Sequence, residues 1–307
     1  MGQRHSNEKQ DLEERLARQT SIPRGPLRSR RSAVALADAD VAAGRLDSAP
    51  RRRSSVASYL LPWVGLSALL GVWAVLASSG MVNELLLPSP LAVIKAGIEE
   101  ASRGVLQANV LASLRRVMAG YALAVALGVG LGLFVGWNDR LYKAFNPVIE
   151  ALRPIPPIAW VPLAILWFGL TDRAAYYIVF IGPVFPIFVT TAAAVRATGR
   201  HYVNAAECLG ATQWALLTEI ILPGAMPAIF TSLRVGIAVA WTCVVAAELV
   251  AAQSGLGYQM WQSRELFKSA HVIFGMVMIG ALGFASNYAV LFVERRVLRW
   301  HHGAVAR

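Results

Sequence analysis

From Tyr59 onward the chain alternates long apolar runs with short polar connectors, and before Tyr59 there is no such run. Tyr59 to Gly80 is the first stretch long enough to cross about 30 Å of hydrocarbon, which takes about 20 helical residues. Val117 to Trp137 is the second. An irregular third surrounds EALRPIPPIAWVPLAILWFG, and Ala174 to Ala194, Ala228 to Ala252 and His271 to Val293 complete the series. The pattern predicts an all-α integral membrane protein with six transmembrane helices. After the first span comes LLLPSP, where Ser89 can cap a helix and Pro90 fits its first turn. That helix places Leu91, Ile94, Ile98, Ala101 and Val105 on one face and Lys95, Glu99 and Arg103 off it, which suits a membrane interface rather than a crossing.

Inside the spans the spacing carries more. Gly120, Ala124, Gly128, Gly132 and Gly136 recur every four residues in the second span and form a ridge that lets another helix approach backbone to backbone. General tolerance of glycine in membrane helices accounts for their number but not their spacing. Pro154, Pro156, Pro157 and Pro162 cannot all sit in a regular lipid-facing helix, so the entry to the third span is expected to be irregular and protein-covered. Pro183 and Pro186 in the fourth span fit either a broken helix near a path or a kinked packing helix. The fifth span carries the stripe Arg234, Ala238, Trp241, Val245 and Glu248, and charges in a span face the bundle interior or water. Arg234, Trp241 and Glu248 are therefore candidates for the path or gate. Ordinary packing for Trp241 and a span-end carboxylate for Glu248 are the alternatives.

Composition narrows the class. With 307 residues, 56% of them hydrophobic and 15% charged, the chain is too apolar for an ordinary soluble domain. Its net charge of +11 raises nucleic acid as a partner. The arginines, however, lie in the N-terminal tail and in short loops beside apolar runs, which fits a membrane surface and no nucleic acid. Cys208 and Cys243 give no disulfide or metal framework. Residues 1–58, with RSRRS and PRRRSS and almost no aromatics, are expected to be a disordered cytoplasmic tail, and 59–300 the transmembrane domain. The first apolar run starts too late for a cleaved signal, and Arg51, Arg52 and Arg53 hold the N-terminus inside. Six spans and the basic flank Arg295, Arg296 and Arg299 put the C-terminus inside as well. On that topology Arg115 and Arg116 fall on the outer side, against the positive-inside rule.

The sizeable polar connector of the second half is His201 to Pro227, HYVNAAECLGATQWALLTEIILPGAMP. Its small residues permit close approach to a partner, Gly210 tolerates a bend, and Pro223 is expected to stop a helix. Two short helices joined near a glycine result. The order Asn204-Ala205-Ala206, Gly210-Ala211, Ile220, Leu222 and Pro223 resembles the EAA loop of ABC importer permeases. Asn204 stands where that family usually has Glu, and the sequence leaves open whether Glu207, one turn later, replaces it. The LPSP step, Arg-Pro-x-Pro-Pro with its Trp-Phe-Gly exit, and VAAELVAAQSGLGYQMWQSRELF are similar to the permeases of sulfonate, taurine and nitrate importers. The resemblance covers about Tyr59 to His302.

The resemblance implies the transmembrane domain of a type I ABC importer in a bacterial inner membrane, with both termini cytoplasmic. Asn204, Ala205, Ala206, Glu207, Gly210, Ala211 and Pro223 would then form a coupling helix on the ATPase. The implied partners are an ABC ATPase dimer holding ATP-Mg, a second permease copy, an extracytoplasmic substrate-binding protein and membrane lipid. The implied cargo is a small organic or inorganic anion such as a sulfonate, taurine or nitrate.

Catalytic motifs are missing. There is no G-x-x-x-x-G-K-[ST] loop, and His5, His201, His271, His301 and His302 are dispersed without a metal spacing. No cofactor is expected on this chain, and hydrolysis belongs to a separate subunit. Two rivals remain at this stage. An ion-coupled secondary transporter would need intramembrane acids, for which Glu248 is the evident candidate. A membrane-embedded enzyme or assembly factor would need an acid/base cluster that is lacking.

Overall fold

The computed structural model describes residues 56–79, 83–198 and 200–299. The tail assigned to 1–58 lies outside them except for its last three residues, as does the His301-His302 pair. The chain divides into two units, Met1–Ser67 and Ala68–Arg307. The described part of the first is the opening of helix α1 (Val56–Ser78). The second holds α2 (Pro90–Ser102), α3 (Val105–Trp137), α4 (Asp139–Leu152), a 3-10 turn (Pro157–Trp160), α5 (Val161–Phe168), α6 (Asp172–Ala197), α7 (Arg200–Cys208), α8 (Gln213–Ala251), α9 (Leu256–Glu265) and α10 (Ser269–Val297).

The fold is all-α among the described residues, but the six expected spans are not matched one for one. α3, α6, α8 and α10 are each long and apolar enough to cross a membrane, and α4 with the segment Pro157–Phe168 makes a fifth crossing only if its 89° bend is counted within one span. That bend falls at the Pro154–Pro157 cluster, where missing N–H groups interrupt the helical ladder. α3 starts 12 residues earlier than its apolar run, at Val105 rather than Val117, and its 33 residues make it roughly 50 Å long. It can run on through Asn109, Ser113 and Arg116 because those polar side chains find partners in neighbouring helices. α6 keeps Pro183 and Pro186 inside one continuous helix.

The core lies where α6 packs between α3 and α8. The glycine ridge of α3 is the α6 contact: a Cβ on Gly120 would lie 2.7 Å from Val179 Cγ1, on Gly128 2.9 Å from Ile187 Cγ2, on Gly132 2.7 Å from Thr191 Cβ, and on Gly136 2.9 Å from Ala192 Cα. On the other side Gly236 of α8 receives Ile187 Cδ1 equally closely. Ser89 caps α2 by accepting from Ala92 N at 3.2 Å. α2 buries Val93, Ala96, Gly97 and Glu100, with the Phe274 ring of α10 over Gly97. Its Leu91, Ile94 and Ile98 remain exposed.

Candidate coupling elbow and the polar cluster at the opposite end

α7 ends in a turn set by one residue. Gly210 has φ +86°, in the left-handed region where a side chain is costly. Its N–H bonds the Glu207 carbonyl at 3.0 Å, and Ala211 N–H reaches back to the Ala206 carbonyl at 3.0 Å. These two bonds form a Schellman motif, which satisfies the last carbonyls of α7 and turns the chain sharply. Thr212 then opens α8, its Oγ1 accepting from Ala215 N at 3.3 Å.

Asn204, Ala205, Glu207 and Gly210 are exposed along this elbow, and Ala206 and Ala211 half-exposed. Leu209 and Trp214, on either side of the turn, are 88% and 72% exposed, and Tyr202 is exposed too. The sequence reading passed over these three, although apolar residues inside a polar connector are a signal of a covered surface. A groove of about 730 Å³ runs under α7, lined by Ala205, Ala206, Gly224, Ala228, Tyr202 and Glu219 among others.

Pro223 does not stop a helix, contrary to the expectation. α8 continues through Pro223 and Pro227 because residues Leu216–Ile221 adopt a π turn. The wider turn shifts the hydrogen-bond register around the missing N–H. Pro223 thus lies within α8, beyond the turn that Gly210 sets.

Of the fifth-span stripe, Trp241 and Glu248 are turned inward within the subunit, Arg234 and Val245 are half-buried, and Ala238 is exposed. Trp241 is 4% exposed and donates from Nε1 to Ser286 Oγ of α10 at 3.2 Å. Arg234 Nε lies 3.1 Å from Glu294 Oε2 of α10. Glu248 is 1% exposed and belongs to a polar cluster at the end of the bundle away from the elbow.

Arg116 of α3, 2% exposed, is the centre of that cluster. Its Nε and Nη2 donate to Asp172 Oδ1 of α6 at 3.0 and 2.5 Å, and its Nη1 donates to Glu248 Oε1 at 2.8 Å. Nη1 also reaches the Ser254 carbonyl at 2.7 Å, and Nη2 the Ser254 hydroxyl at 2.9 Å. A guanidinium has five N–H donors, and all five are used. Arg115 joins from the exposed side, Nη2 to Asp172 Oδ2 at 2.9 Å. Two arginines beside an apolar run, which stood against the charge rule, are thus balanced by Asp172 and Glu248.

The same cluster caps α9. Gly255 N–H donates to Asn109 Oδ1 at 2.8 Å, Leu256 N–H to Ser113 Oγ at 2.9 Å, and Gly257 N–H to Glu248 Oε2 at 2.9 Å. Ser113 Oγ in turn donates to the Glu248 carboxylate, 2.7 Å from Oε1. Three N–H groups that a helix start leaves unpaired are therefore taken by side chains of α3 and α8, with a carboxylate at the positive end of the helix. Gly255, at φ +112°, admits the Glu248 carboxylate where a Cβ would stand. Glu248 was visible in sequence as a charge in a span, but its partners are far off in the chain and no spacing rule links them.

Among the described residues no group of three His, Cys, Asp or Glu side chains could hold a metal. Apolar spans, an exposed helical elbow and a buried charge cluster make the described residues those of a polytopic membrane protein. The chain belongs to the family of binding-protein-dependent transport system inner membrane components, whose profile matches residues 124–299. It is 32% identical over 241 residues to the taurine transport system permease protein of Escherichia coli K12, covering 77% of this chain and 88% of that one. With the bicarbonate transport system permease protein of Synechococcus elongatus it shares 32% over 262 residues, 80% and 92% of the two chains. Its fold is similar to a chain of the MetNI methionine ABC transporter, with a TM-score of 0.56 at 18% identity over 65% of this chain and 97% of that one. The protein is a permease subunit of an ABC importer.

Proposed function

We propose that this chain works as one of two identical permease copies that form the path for a small anion of the sulfonate, taurine, nitrate or bicarbonate kind. ATP-Mg is bound and hydrolysed on a separate ATPase dimer, and an extracytoplasmic binding protein delivers the solute. The observation that carries this reading is the elbow: a glycine-set turn with Leu209 and Trp214 bared on either side, at the place where the family resemblance puts the ATPase contact. Asn204 offers that partner an amide where relatives commonly have a carboxylate, and Glu207 supplies the negative charge one turn on. Both termini are then cytoplasmic, in a bacterial inner membrane, and the Arg116 end faces outward.

Because Trp241 and Glu248 are turned into the subunit, the path is proposed to run along the neighbouring face of α8. There Thr231, Val235, Ala238 and Thr242 are exposed. The hydroxyls of Thr231 and Thr242 donate to carbonyls one turn back in α8, at 3.0 and 3.2 Å, which leaves oxygen lone pairs on that face. The direct test is purification of the chain with its co-encoded ATPase and binding protein, followed by vesicle uptake of labelled taurine, nitrate and bicarbonate. Vanadate-sensitive uptake of one of them supports the reading. Uptake driven by an ion gradient without the ATPase overturns it.

A further inference from the structure

The two carboxylates that Arg116 holds, Asp172 and Glu248, stand at the far ends of α6 and α8. These are the two helices whose other ends are joined by the α7 elbow. Any displacement at the elbow therefore acts on α6 and α8 together. Their far ends cannot part without stripping a buried guanidinium of charged partners, a change that proteins resist strongly. The same groups hold the segment leading into α9, through the Ser254 carbonyl and the Gly257 N–H.

We propose that Arg116 is the positioning residue of a pivot. It locks α6 and α8 into one lever and passes the movement of that lever to α9, so that the end of the subunit opposite the elbow changes state in step with the elbow. Asp172, half-exposed, is the outer pin of the pivot, and Glu248 the inner one. This inference rests on the elbow being the contact for the ATPase. Breaking a cluster that served packing alone would lower the stability of every state equally, whereas breaking a pivot uncouples the movements of the two ends.

The test uses the full chain with Cys208→Ser and Trp261→Cys, reconstituted with its ATPase in lipid vesicles. A spin label on residue 261 reports on α9, where Trp261 is exposed. Its accessibility to a water-soluble paramagnetic reagent is read without nucleotide and after trapping with ATP-Mg and vanadate. The parent complex is expected to show a nucleotide-dependent change. Arg116→Gln is expected to stay assembled and hydrolyse ATP while the equilibrium reported at 261 shifts by about tenfold less, within the range of ordinary coupling energies. Asp172→Asn leaves the Arg116–Glu248 pair in place and is expected to give a smaller loss of the same kind. If Arg116→Gln does not assemble, Asp172→Asn decides the matter by the same readout. A change of parental size in an assembled variant overturns the pivot, as does a parent complex that hydrolyses ATP with no change at 261. A parent complex whose ATPase stays bound and coupled after Gly210→Trp overturns the elbow as the ATPase contact, and the pivot with it.

Discussion

Glu100 of α2 is buried beside Gln259 and His271, and burial raises its carboxyl above the ordinary range, more than Gln259 and His271 lower it; Glu99 adds to the rise. A carboxyl that holds its proton more tightly in the folded state loses stability as pH climbs from its unfolded value through its raised folded value. Glu100→Gln is expected to abolish that pH dependence and to melt higher than wild type above the window, measured by thermal unfolding across a pH series. Glu248 calls for the opposite treatment, because its partner is a buried cation. Glu248→Ala leaves Arg116 short of one carboxylate and three helix-start contacts short of one acceptor. A loss of about 3–5 kcal/mol is expected, visible as a large drop in melting temperature in detergent. At Gly210 the cost is conformational. Any side chain at φ +86° is strained by about 1–2 kcal/mol, yet nothing stands within 4 Å of its Cβ position. Gly210→Trp should therefore insert into the membrane normally and lose ATPase binding or coupling, read by co-purification and by uptake per ATP hydrolysed.

At the scale of elements, the α3–α6 pair shows what periodicity can deliver. Small residues every fourth position announce a close helix contact, and four of those glycines approach α6 to within van der Waals overlap of any added Cβ. Gly128→Leu is expected to cost about 1–3 kcal/mol by overpacking against Ile187. Gly130→Ala, at a position with open space, should be neutral or gain up to about 1 kcal/mol of helix propensity. Comparing the melting temperatures of the two variants checks this directly. Helix existence was legible for the same reason, since long apolar runs have few other solutions in lipid. Where α3 begins was not, because a helix continues past its apolar run when distant side chains satisfy its polar ones, as Asp172 and Glu248 do for Arg116. The role of Pro223 was not legible either: proline signals a broken bond ladder, while the π turn that absorbs the break has no residue code of its own. The elbow was readable because Gly210 meets a local conformational demand. The exposure of Leu209 and Trp214 depends on how α7 and α8 splay and emerges only in three dimensions.

At the scale of the whole molecule, the described residues of one subunit leave long apolar faces uncovered. None of the most apolar stretch of α10 is buried, and Leu123, Leu127, Leu131 and Phe134 form an exposed line along α3. Lipid can cover such surfaces, since hydrocarbon is as apolar as leucine. The exposed face of α8 is different in kind: beside Val235, its Thr231, Ala238 and Thr242 are small or hydroxylated, a composition suited to a helix facing water or another backbone. In a pair of identical copies, two such faces opposed across the axis would enclose a narrow wet path, while Trp241 and Cys243 stay within each subunit's packing. Cysteine reactivity separates the faces. With Cys208 and Cys243 replaced, Ala238→Cys and Thr242→Cys are expected to react with small polar thiol reagents in the resting or the vanadate-trapped complex, and Trp241→Cys to react at least about tenfold more slowly in both. A pair of Thr242→Cys copies should also crosslink with a short bifunctional reagent in one of the two states. Fast reaction at 241 with none at 238 or 242 would instead place the path along the stripe of Arg234, Trp241 and Glu248, and would require α8 to rotate by about one residue, 100°, in the working complex.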